Sequence, residues 1–457
     1  MKGKIKRITA LLLSLIITAG LTGCENMDNQ KGTVKDFSEI EKEEGNILIG
    51  GLIAPPPAGY HHYKNERGEI IGTNENFITV ERYRQAKDAG FDFLEGHAET
   101  GFKSQDVRNA LDSALAAGMK YMVNGDLLNF YNSTPERIKT VLGDILEHEG
   151  CFGFFAVDEP LANRYPTLAA LWSRFKLATD KVMEINLLPY SPNDVPDYGV
   201  PTYEDYIEEF CKQIDTDYIS IDIYPFFERE NPDGTKTYSM YENWLYNLEV
   251  VENCAVRYNR KHWECVQGQK VHAISKKPDY NDIRMQLYTS MAYGAQTFQY
   301  YCYWTPEEVE RPCLIDKTGN PTSIYYDAKK ANHEIKKFGN VFVHFAQGWK
   351  GVMPVGDCVA FGRLKTPLRN YARIKSVFAS ENALVGVFND GEGRDAFMIT
   401  NYTVPGEMAV NRVKIAFKDA TSAICYIGGE KTVKPLDNGN LTLDLGPGEG
   451  VFVIPEK

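Results

Sequence analysis

A (β/α)8 barrel followed by an all-β sandwich is the architecture this chain predicts. Three features predict it. An amphipathic helical stretch, a glycine and an apolar run recur along the first three quarters of the chain. Eight apolar runs of strand length end at intervals long enough to hold a crossover helix. Beyond about residue 340 the helical periodicity gives way to short alternating runs.

The first strand is expected at Ile47–Ile53, and Pro55-Pro56-Pro57 stops it. A doubly wound open sheet would usually carry a glycine-rich phosphate loop there, and no such loop is present. Ala86–Ala89 then close a helix, Gly90 caps it, and Phe91–Glu95 form the second strand. The same punctuation recurs at Gly118 before Met119–Asn124, at Gly150 before Cys151–Glu159, and at Gly294 before Thr297–Trp304. Glycine suits the left-handed position past a helix end, so the repeat has a physical basis. Ile185–Pro189, Tyr218–Tyr224 and His262–Gln267 supply the remaining strands. The ends fall near residues 53, 95, 124, 158, 188, 223, 266 and 303. After residue 340, alternating runs such as Ala383–Phe388, Asp395–Thr400, Val413–Phe417 and Leu441–Leu445 predict a β module.

The ends of the chain add a compartment. Lys2, Lys4, Lys6 and Arg7 precede an apolar Leu11–Ile17 segment too short to span a bilayer. Leu21-Thr22-Gly23-Cys24 resembles a bacterial lipobox, which implies cleavage before Cys24, lipidation of that residue, and a chain tethered to the outside of the cell membrane. The expected organisation is a signal peptide over 1–23, a flexible tether over 24–45, the barrel over 46–340 and the sandwich over 341–457. Removing residues 1–23 leaves 46 basic against 62 acidic residues, a net −16. No basic stripe is present, so nucleic acid is not expected as a partner. The eight cysteines after Cys24 show no Cys-x-x-Cys pair. Export permits disulfides, but several of these cysteines sit in apolar runs, where buried thiols are the plainer expectation. No metal-ligand spacing appears, and neither a metal nor an organic cofactor is expected.

The chemistry-bearing stretch is Phe152-Gly-Phe-Phe-Ala-Val-Asp158-Glu159-Pro160, an apolar strand that ends in two carboxylates and a proline. Carboxyls at the C-terminal tip of a barrel strand sit where such folds place their active sites, and partial burial raises a carboxyl toward neutrality. Asp158-Glu159-Pro160 on strand four, Asp222-Ile223-Tyr224-Pro225 on strand six and Tyr303-Trp304 after strand eight together resemble clan A glycoside hydrolases. That resemblance implies a general acid/base at Glu159, a sugar-stacking tryptophan at Trp304 and a nucleophilic glutamate at the tip of strand seven. Strand seven reads His262-Trp263-Glu264-Cys265-Val266-Gln267, so Glu264 is the candidate nucleophile if the strand ends early. Gln267 stands at the mouth if the strand runs on.

Asp222, Glu95 and Asp126 are other carboxylates near strand tips. Strand alternation points Asp158 to the opposite side from Glu159, or into a supporting role. Tyr224, Tyr190 and Trp304 are candidates to stack on a sugar, Asn124 and Gln267 to hydrogen-bond its hydroxyls, and residues 59–63 to wall the cleft. The reading is a lipid-anchored glycosidase acting on a carbohydrate. The alternatives are a non-catalytic glycan-binding lipoprotein on a degenerate barrel, and a two-lobed solute-binding lipoprotein of a transporter. Oligomeric state is left open.

Overall fold

The computed structural model describes residues 37–97, 102, 104–193 and 197–457. Eight parallel strands close into a barrel: β1 (Leu48–Leu52), β2 (Phe93–Glu95), β3 (Lys120–Asn124), β4 (Cys151–Asp158), β5 (Val182–Leu187), β6 (Tyr218–Asp222), β7 (Lys261–Gln267) and β8 (Thr297–Tyr301). They pair in chain order, and β8 returns to β1. All eight expected strands are present, and closure excludes both the open sheet and the two-lobed transporter architecture. Gly90, Gly118 and Gly294 have φ of 86°, 72° and 85°, as the repeat requires, whereas Gly150 is not left-handed.

Each strand is followed by a helix: α1 (Val80–Asp88), α2 (Gln105–Ala116), α3 (Pro135–Leu146), α4 (Tyr165–Ala178), α5 (Tyr203–Gln213), α6 (Trp244–Tyr258), α7 (Tyr280–Ala292) and α8 (Ser323–Lys336). Side-chain oxygens cap exposed helix starts: Ser104 on α2, Thr134 on α3, Thr202 on α5, and an Asp279/Asp282 capping box on α7. Among the described residues, no helix is long and apolar enough to cross a membrane.

A sandwich follows. Its strands are β9 (Trp349–Val355), β10 (Ile374–Ala379), β11 (Ala383–Asn389), β12 (Asp395–Asn401), β13 (Asn411–Phe417), β14 (Ser422–Ile427), β15 (Glu430–Pro435), β16 (Asn440–Leu445) and β17 (Gly450–Glu456). A six-stranded sheet, ordered β9-β11-β12-β17-β14-β15, faces the three-stranded sheet β10-β13-β16 across its own apolar core. The outer face of the larger sheet is not solvated. Leu384, Phe388, Met398 and Phe452 join the same core as the helices α7 and α8. The Trp349 indole also donates to the Ala292 carbonyl at 3.0 Å. A shared apolar core fixes the two parts against each other.

The tether is shorter than expected. Residues 37–40 form a helical turn whose Ile40 is fully buried. Glu41 pairs with Lys431, and Glu43 with His344. Phe37 and Ile40 lie three residues apart, so one turn of helix turns both toward the core. The expected signal peptide and the lipidation site Cys24 lie outside the described residues.

Candidate active site

The lower barrel lumen is a plug of Phe93, Met122 and Trp263, with Phe152, Phe155 and Tyr218 beside them. Above it the lumen turns polar. Glu95 on β2 is buried and accepts from Asn124 (3.0 Å) and from Gln299 (2.7 Å), whose own oxygen is held by the Trp263 indole at 3.0 Å. On β5, Glu184 and Asn186 are both buried. The Ser220 hydroxyl lies 3.2 Å from Glu184 and 3.3 Å from Asn186. Burial, then the neighbouring Glu95 charge, raises the Glu184 carboxyl well above the usual range, so it holds its proton at neutral pH.

The rim carries three carboxylates from two strands. The Asn186 amide donates to Asp158 and to Asp222, each at 3.0 Å. A planar NH2 group directs its two hydrogens about 120° apart, which sets those two oxygens about 5 Å from each other. Asp222 is pushed up to about 6, chiefly by burial and further by the Asp158 charge. Its hydrogen bonds from Asn186 and Tyr224 act against the rise.

Glu159 follows β4 in a left-handed conformation, φ 46°, its amide donating to the Asn186 carbonyl at 2.8 Å. A non-glycine residue in that region is strained, and such strain concentrates at functional sites. The Glu159 side chain is exposed at the rim and forms no ion pair with Arg164 or any other described residue. Its carboxyl is pushed up to about 7 by desolvation, then by Asp222, then by Asp158.

The expected alternation fails at Asp158 for an identifiable reason. A register shift between Phe155 and Val157 interrupts the β4–β5 ladder, so Asp158 reaches Asn186 on the lumen side. The left-handed turn then keeps Glu159 on the mouth as well.

Strand seven corrects the expected nucleophile. It runs through Gln267, so Trp263, Cys265 and Gln267 take the lumen side, while Glu264 faces the helices. There Glu264 lies 3.2 Å from the His262 ring, and His262 lies 3.3 Å from Glu252, all buried. Burial holds Glu264 and Glu252 well above the carboxylate range and pushes His262 down to about 3, so the trio is neutral. Glu264 is therefore not at the mouth. Gln267 is not free for a ligand: it donates to the carbonyls of Gln269 and Lys276 and accepts from the Phe226 amide, bracing two loops.

Trp304 is also displaced. It lies three residues past β8, fully buried, with Phe77 at 4.8 Å and the Arg82 guanidinium over its ring. Its indole donates to His61 Nε2 at 3.1 Å, so His61 carries its proton on Nδ1, 3.0 Å from Glu307. His61 is consequently packed beneath Trp304 rather than lining the mouth. The aromatic at the tip of β8 is Tyr301, half-buried and 5.3 Å from the Tyr224 ring.

Asp126 is exposed at the start of a short helical turn, Leu127–Phe130, two residues beyond β3. Tyr190 stands on the flank, edge-on to Tyr246 at 4.9 Å. With Phe227, Met240, Tyr241 and Arg363 it lines a cavity of about 360 Å³ outside the mouth. The structure thus brings Glu159, Asp222, Tyr224, Asn124 and Glu95 to one end of the barrel, but not Glu264, Trp304, Gln267 or Tyr190. Sequence reasoning missed Glu184, Asn186, Ser220, Gln299 and Tyr301. Polar residues at every second position of Glu184-Ile-Asn186 and Ser220-Ile-Asp222 were the available signal.

No protein-family model and no curated protein matches the chain. Solved structures do resemble it. A glycoside hydrolase shares 12% identity over 90% of this chain and 93% of its own, with a TM-score of 0.48. A GH27 β-L-arabinopyranosidase from Geobacillus stearothermophilus shares 9% identity over 92% and 98%, also at 0.48. A β-galactosidase from Marinomonas ef1 shares 9% identity over 65% of this chain at 0.43, and the chain spans about 60% of that protein's length. Likeness at this level carries no chemistry to this chain.

Proposed function

We propose that this chain is a glycoside hydrolase whose working pair is Glu159 and Asp222. The observation that supports it is the rim itself. A strained, unpaired glutamate held near pH 7 shares the mouth with an aspartate held near pH 6. Between those values, one carboxyl carries a proton while the other is ionised, which is the division of labour glycosidic cleavage needs. Glu159 gives its proton to the leaving oxygen as the C–O bond breaks. Asp222, oriented by Asn186 and Tyr224, faces the positive charge that develops at the anomeric carbon. Tyr301 and Tyr224 offer apolar ring surface, and the Glu95–Asn124–Gln299 network offers fixed donors and acceptors to hydroxyls. Neither group needs a metal or organic cofactor for this step. The acidic surface favours neutral glycans over polyanions, and the lipobox-like N-terminus supports a reaction carried out outside the cell.

The test is turnover of a panel of aryl glycosides and oligosaccharides by the wild type and by Glu159→Gln. Loss of turnover with binding retained supports the assignment. A folded wild type that binds a glycan saturably and cleaves none establishes the second reading, a binding lipoprotein. That reading is favoured by the absence of a carboxylate from the lumen side of β7.

A further inference from the structure

Four of the eight described cysteines are arranged as two pairs that the sequence spacing does not reveal. Cys302 directly follows Tyr301, and Cys313 lies on the far side of the loop after β8. Both are fully buried. The two thiols hydrogen-bond each other. One carboxamide touches both: Gln269 donates to the Cys302 sulfur at 3.7 Å and accepts from the Cys313 thiol at 3.2 Å. Backbone bonds hold the two chain segments together, with the Leu314 amide donating to the Cys302 carbonyl and the Cys313 amide to the Thr305 hydroxyl.

The second pair, Cys211 on α5 and Cys254 on α6, is likewise buried and mutually hydrogen-bonded, between neighbouring helices of the barrel. Cys151, Cys265, Cys358 and Cys425 have no such partner among the described residues. Thiols are among the best-buried side chains, so burial alone says little. Two separate contact pairs in a chain with an export-type N-terminus say more, because disulfides persist in that compartment.

We propose that Cys302–Cys313 and Cys211–Cys254 are disulfides in the exported protein. In each pair, two S–H bonds break and one S–S bond forms. Two protons go to solvent, and two electrons pass to the disulfide of a thiol oxidoreductase outside the cytoplasm, which is reduced to a dithiol. Because the thiols are sealed in the finished fold, the bonds form as the chain folds. The first bridge closes the loop of residues 303–312, which carries Trp304 and Glu307, immediately beside the mouth aromatic Tyr301. The second ties α5 to α6, the helices that follow the strands bearing Asn186 and Asp222. Both bridges therefore brace the rim, independently of which reaction the rim performs.

The experiment refolds the full chain with oxidised glutathione as acceptor, then alkylates it in denaturant and maps its peptides with and without reductant. Cross-linked peptides joining 302 to 313 and 211 to 254 are expected, with Cys151, Cys265, Cys358 and Cys425 fully alkylated. Cys313→Ser should leave Cys302 alkylated and the other bridge intact, and Cys254→Ser the converse. Reduction should lower the melting temperature of the wild type but not that of the Cys211→Ser/Cys302→Ser double variant. Eight alkylated thiols in the refolded wild type, or cross-links among other pairs, overturn the proposal. Because no step depends on turnover, a wrong activity assignment leaves this result intact.

Discussion

Asp222→Asn should make the protein more stable and less active, and the gain in stability should depend on pH. Folding raises this carboxyl from 3.8 to about 6, so keeping Asp222 charged at neutral pH costs the native state free energy. A rise of that size corresponds to about 3 kcal/mol for a wholly desolvated group. Asp222 retains partial solvent contact, which screens the charge and reduces the figure to about 1–2 kcal/mol. The sign follows from proton binding. Between about pH 4 and 6 the folded state holds a proton that the unfolded state has lost, so wild-type stability falls as pH rises through that window.

An asparagine removes the titration while keeping an oxygen for the Asn186 amide. Urea unfolding at pH 4 should show little difference between the two proteins. At pH 7.5 the variant should be more stable by about 1–2 kcal/mol. Turnover should fall by about 100-fold or more. If the variant is no more stable than wild type at pH 7.5, Asp222 is an ordinary hydrogen-bond acceptor rather than a carboxylate held at a cost. The pairing with Glu159 would then lose its electrostatic basis.

Other outcomes follow from the same geometry. The pH dependence of kcat/KM should be bell-shaped, falling below about 6 as Asp222 takes a proton and above about 7 as Glu159 loses one. A profile flat from pH 5 to 8 would contradict the assignment. Glu159→Gln should reduce turnover by about 1000-fold with folding unchanged by circular dichroism. Glu264→Gln should keep turnover within about threefold, since the side chain faces His262 and α6; a loss comparable to Glu159→Gln would return it to the mouth. Gly386→Ala should destabilise the fold by about 1–3 kcal/mol by denaturant titration. A Cβ there would stand 2.3 Å from the Ala292 carbonyl, at the contact between sandwich and barrel.

The sequence by itself determined the barrel and the β module, because both are written in local periodicity. A glycine after a helix, an apolar run and a polar strand end need no long-range information. The same locality made Glu159, Asp222 and Tyr224 legible as residues on strand tips. What a tip residue faces was decided by the tertiary structure. A register shift in β4 turned Asp158 inward, and a left-handed Glu159 followed it. The length of β7 settled which parity lines the lumen, and so sent Glu264 outward. The path of the chain after β8 buried Trp304 and left Tyr301 at the mouth. Parity, bulges and strand ends are fixed by pairing with neighbouring strands, and those neighbours lie tens of residues away in the chain. A local pattern names the residues capable of chemistry; only closure of the barrel decides which of them meet.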